Sequence, residues 1–92
     1  MASEGDCYAE DQVGESFGTV EMKIPRAVFC VSKTIGDRVV VEQYLWKKSD
    51  ITCAYALTNT EELGDAEFAR LVEERGCVKM AEDEKEFFHF LT

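Results

Sequence analysis

The amino-acid sequence predicts an α+β fold: an antiparallel β-meander of about four strands, one amphipathic helix packed on one face, and one or two C-terminal strands. Three observations carry that expectation. Val20, Met22 and Ile24 alternate with Thr19, Glu21 and Lys23, the period of two that buries one side of a strand. Gly36-Asp37 separates two β-branched runs, and glycine at the first position of a two-residue loop suits a type II′ hairpin turn. The stretch LGDAEFARLVEERG, residues 63 to 76, sets Phe68, Leu71, Val72 and Arg75 at i, i+3, i+4 and i+7, the stripe of an amphipathic helix.

Taken in order, residues 1 to 16 are rich in Glu, Asp, Gly and Ser without a sustained apolar period, and read as a flexible acidic tail ahead of one α+β domain at 17 to 92. The first strand begins at Phe17 and is closed by Pro25, which has no amide hydrogen to give to a ladder. Ala27 to Ile35 forms a second, more central strand, and Val39 to Trp46 folds back on it through the Gly36-Asp37 turn. After the polar KKSD, residues 51 to 58 form a fourth strand with Ile51, Cys53, Tyr55 and Leu57 on one face. In the helix, Asp65 is placed to cap the first turn, Gly76 to end the last, and TNTEEL to add a turn from Thr58 or Asn59. Phe68, Leu71 and Val72 then cover the sheet, Arg75 sits at the rim, and Glu67, Glu73 and Glu74 face outward with Arg70 able to pair with Glu67 or Glu74. At the C-terminus, Cys77 to Met80 reads as a strand, EDEKE as a charged turn, and Phe87 to Leu91 as a strand with Phe88 and Phe90 on one face. A short helix over Glu82 to Leu91 is the alternative.

The motifs that carry catalysis are missing: there is no GxSxG, no HExxH and no glycine-rich phosphate loop. His89, the single histidine, lies in an aromatic stretch and reads as a packed or surface ring. Cys7, Cys30, Cys53 and Cys77 include no close pair of the kind that presents two thiolates to zinc, and Cys30 and Cys53 read as small buried hydrophobes. The run Glu82, Asp83, Glu84, Glu86 lacks the alternating ligands and central glycine of a calcium loop. No cofactor or metal is therefore expected, and no enzymatic activity. The start of the chain lacks a basic segment followed by an apolar one, so a cytoplasmic location with reduced thiols is expected.

Charge is the most informative property. Nineteen acidic residues against ten basic give a net charge of -9. Residues 1 to 21 carry six acids and no base, and residues 59 to 92 carry ten acids and four bases. The middle, with Lys23, Arg26, Lys33, Arg38, Lys47 and Lys48 near Tyr44 and Trp46, has the residues of a nucleic-acid stacking platform, but the acidic ends oppose a phosphate backbone. The charge repels nucleic acid and anionic membranes and attracts basic proteins. The expected function is therefore non-enzymatic: Glu67, Glu73, Glu74, Glu82, Asp83, Glu84 and Glu86, with Trp46 as an interface aromatic, dock on a basic surface of a partner protein. A partner that handles nucleic acid fits best, because spaced carboxylates can take the places of phosphates. In size, charge and lack of catalytic motifs the chain resembles the small inhibitors carried by phages and mobile elements, such as anti-CRISPR proteins and nucleic-acid mimics. The competing expectation is a small structural subunit or homodimer with an aromatic interface at Tyr44, Trp46 or the FFHF segment.

Overall fold

The computed structural model describes residues 2–51 and 53–92. Met1, in the expected tail, and Thr52, in the expected fourth strand, lie outside the described residues. The described residues form one antiparallel sheet of five strands, in the order β4-β3-β2-β1-β5, with two helices. The class is α+β with a meander, as the alternation implies.

The first strand, β1 (Cys7–Phe17), occupies the stretch expected to be a flexible tail. Its acids mislead: Glu10 and Glu15 are only partly exposed and pair with Arg75 and Lys48, while Cys7, Ala9, Val13 and Phe17 join the core. β1 pairs with β2 (Val20–Ile35) through a two-residue turn in which Gly18 takes φ 64°, the left-handed region where glycine meets no Cβ penalty. The turn between β2 and β3 (Arg38–Lys48) repeats this chemistry, with Gly36 at φ 60° between paired Ile35 and Arg38. The Gly36-Asp37 hairpin is thus as expected.

β2 is one strand where two were expected. Pro25 lies inside it, beyond the last pair with β3 (Ala27 with Leu45), and its carbonyl accepts the Tyr55 hydroxyl. The missing amide therefore leaves the β2–β3 ladder intact and instead removes one donor on the β1 side, where Pro25 pairs with Gln12. β4 (Cys53–Gly64) continues through TNTEEL, so no helical turn begins at Thr58 or Asn59. One extra residue, Thr58, stands between the pairs Gln43–Asn59 and Tyr44–Leu57. This bulge exchanges the faces: Tyr55 packs on one side of the sheet and Leu63 on the other. Of the four residues expected on one buried face only Tyr55 is enclosed, and Ile51 is 91% exposed.

After β4 the chain wraps the sheet. Helix α1 (Asp65–Glu74) crosses one face and delivers β5 (Val78–Lys79) to β1 at the far edge. Helix α2 (Glu82–Phe90) then covers the opposite face, and the Leu91 carbonyl accepts the Tyr55 amide at 2.9 Å. The single helix expected on one face is thus two helices on two faces, and each encloses its own core. Under α1 lie Phe29, Val31, Val39, Val41 and Phe68; under α2 lie Cys7, Ile24, Val28, Cys30, Tyr55 and Phe88. Asp65 opens α1 but does not cap it. Gly64 holds the cap position, and its amide donates to Glu67 Oε1 at 3.1 Å. Gly76, at φ 64°, follows the helix as expected.

Candidate functional site

Opposite placement of the helices separates the carboxylates expected to act together. Glu67, Glu73 and Glu74 are exposed on α1, over one face. Glu82, Asp83, Glu84 and Glu86 are exposed on α2, over the other, so the seven form two surfaces back to back. EDEKE is the first half of a helix because Asp and Glu stabilise the positive end of the helix dipole, and the Ala81 amide donates to Glu84 Oε1 at 2.8 Å. A strand from Phe87 to Leu91 is not formed. The helical turn points Phe88 inward and leaves Phe90 82% exposed, where a strand would put both on one side.

Five ion pairs form among the described residues, taking up five of the nineteen carboxylates: Arg38–Glu62, Lys48–Glu15, Arg75–Glu10, Lys79–Asp6 and Lys85–Glu82. The expected pairs of Arg70 are not among them. Arg75 reaches from the rim of α1 to Glu10 at 3.0 Å and lies over the Phe29 ring, 5.4 Å from its centroid. Glu73 and Glu74 occupy the last turn of α1, which has no basic residue, and there they oppose the helix dipole.

Trp46 is half-buried, packed against the rim of the core that α2 covers. It meets Tyr55 edge-on at 5.1 Å and Phe17 at 6.2 Å, with its indole nitrogen enclosed and lacking a partner. Tyr44 packs edge-on against Phe88 at 5.3 Å, and its hydroxyl donates to Glu42. Burial pushes the Tyr55, Tyr8 and Tyr44 hydroxyls above the usual tyrosine range, with Asp6 adding to the effect at Tyr8 and Glu42 at Tyr44.

One arrangement was not legible as such in the sequence. Asp83, Glu86, Phe87 and Phe90 fall at i, i+3, i+4 and i+7 and form the outer stripe of α2: two carboxylates, then two aromatic rings. Beside it lies a hollow of about 220 Å³ with Met22, Ile24, Tyr55, Met80 and Phe88 in its walls and Lys23, Asp83 and Glu84 at its polar edge. It has room for one long side chain. The spacing was available to find the stripe, but only once the segment is read as a helix.

Among the described residues, no group of three or more His, Cys, Asp or Glu side chains is placed to hold a metal ion, and no helix is long and apolar enough to cross a membrane. No protein-family model, curated protein or solved structure matches the chain.

Proposed function

We propose that the chain is a non-enzymatic binding protein that docks on a basic surface of another protein through the outer face of α2. The observation that carries this reading is the stripe Asp83, Glu86, Phe87, Phe90 beside the aromatic-walled hollow. Phe87 packs edge-on against Phe17, but Phe90, 82% exposed, contributes little to the core, whereas at an interface an aromatic anchor contributes binding energy. Arginine and lysine fit both halves of the stripe. Their charge meets the carboxylates, and a guanidinium lies over an aromatic face. With a net charge of -9 to steer encounter, a protein that handles nucleic acid is the favoured partner class, and blocking its basic surface would make the chain an inhibitor.

Affinity capture tests the reading. Three baits are compared at low salt and at about 0.5 M salt, where the Debye length falls to a few Å. They are the natural chain, an α2 variant (Asp83→Asn, Glu86→Gln, Phe90→Ala) and an α1 variant (Glu67→Gln, Glu73→Gln, Glu74→Gln). The expected outcome is a basic protein retained by the natural chain and the α1 variant, released by salt and lost by the α2 variant. Retention that ignores both salt and the α2 changes sinks the reading. A concentration-dependent dimer in sedimentation, broken by Phe90→Ala, would replace it with the aromatic homodimer.

A further inference from the structure

Cys7 and Cys30 are far apart in sequence, and nothing in the spacing of the four cysteines pairs them. The sheet does. They are direct cross-strand partners in the β1–β2 ladder, on the face covered by α2. The hydrogen bonds around them define the type of pair. Val31 donates to the Asp6 carbonyl at 2.8 Å and accepts the Gly5 amide at 2.8 Å, a glycine bulge that puts the bonded position just before Cys7, while the Cys7 carbonyl turns away to accept the Met80 amide at 2.8 Å. Cys7–Cys30 is therefore a non-hydrogen-bonded position, where opposed Cα atoms stand about 4.5 Å apart and the side chains are closest. That separation lies at the short end of the range a disulfide spans. The two sulfurs point at each other, 2.8 Å apart, with Cys7 1% and Cys30 7% exposed.

We infer that Cys7 and Cys30 are a redox site: a dithiol that oxidises to a cross-strand disulfide joining β1 to the central strand. Cys7 is the attacking group. The hydrogen bond from Cys30 holds its thiol below the usual range, helped by the charge of Lys85 and opposed by burial, and Cys30 is correspondingly pushed up. With a small disulfide such as oxidised glutathione, the Cys7 thiolate attacks one sulfur, breaks the S–S bond and releases a glutathione thiolate. Cys30 gives up its proton, attacks the Cys7 sulfur of the mixed disulfide and releases the second. The two cysteines lose two electrons and two protons, and glutathione disulfide gains them as two thiols. The remaining cysteines do not compete in the folded chain. Cys53 is exposed on β4, and Cys77 packs on the opposite face of the sheet.

The oxidised ring spans Cys7 to Cys30 and fastens the start of β1, which holds β5 and the turn into α2. Oxidation should therefore raise the melting temperature by about 10 °C or more, and dithiothreitol should reverse the rise. The experiment equilibrates the full chain with oxidised glutathione by two routes, from the folded protein and by refolding out of urea, so that burial of the sulfurs cannot decide the result. Peptide mapping and intact mass then read the linkage. A Cys7–Cys30 linked peptide, a loss of two mass units at that site and no such link in a Cys30→Ser chain are expected. Free thiols or separate glutathione adducts at Cys7 and Cys30 by both routes, or a link from either to Cys53 or Cys77, would overturn the inference.

Discussion

Phe88 and Phe90 are two residues apart, and the structure gives them opposite fates. Phe88 is 2% exposed and held edge-on between Tyr55 at 5.0 Å and Tyr44 at 5.3 Å; Phe90 is 82% exposed. A helix turns about 200° over two residues, whereas a strand returns to the same face. Phe88→Ala removes a nearly fully buried ring and leaves a cavity beneath α2, a change that costs about 3–5 kcal/mol, the two edge-to-face contacts included. In a chain whose whole stability is on the order of 5–14 kcal/mol, that loss is severe. Phe90→Ala removes surface that water already reaches and should change stability by about 0.5 kcal/mol or less. Urea unfolding followed by fluorescence of Trp46, the single tryptophan, reads both, since that ring packs on Tyr55. The midpoint should fall sharply for Phe88→Ala and hold for Phe90→Ala, with the slope unchanged. Equal losses, or a larger loss at Phe90, would refute the helix and the core it encloses.

Other outcomes follow from the same geometry. Gly18→Ala and Gly36→Ala should each cost about 1–2 kcal/mol by urea midpoint, because both turns need positive φ, while Gly14→Ala, at negative φ with open space around it, should cost far less. Raised hydroxyls at Tyr55, Tyr8 and Tyr44 contribute stability that is complete below the unfolded tyrosine value near 10 and is lost as pH rises above it. The melting temperature should therefore show this loss only above about pH 10, and Tyr55→Phe should make it shallower. The α1 triple variant should melt at or slightly above the natural chain by calorimetry, since Glu73 and Glu74 oppose the helix dipole and glutamine at 67 keeps an acceptor for the Gly64 amide.

Local chemistry was legible wherever a short-range rule decides the structure. The Gly36-Asp37 turn, the alternation that turns Met22 and Ile24 of β2 toward the core, and the Phe68 side of α1 follow from spacing and turn geometry alone. Gly18-Thr19 obeys the same turn rule, but its signal was masked because the acids of β1 resemble a tail; that they belong to a strand depends on a pairing that the local pattern does not contain. The Thr58 bulge inverts the alternation of β4 by inserting a residue that only the partner strand reveals. FFHF is apolar on both sides as a strand and half apolar as a helix, and the choice rests on Cys7, Val28 and Tyr55 waiting uncovered on the second face. The acids of the candidate site were each visible in the sequence. Their division between two faces was not, because it depends on the route by which the chain wraps the sheet.

Hydrogen–deuterium exchange of the chain with the basic partner retained in affinity capture tests the functional account most directly. New protection over residues 82 to 91, with α1 unchanged, is the result the account predicts. Protection confined to α1 or to the outer edge of β4, with α2 exchanging as freely as in the unbound chain, would contradict it.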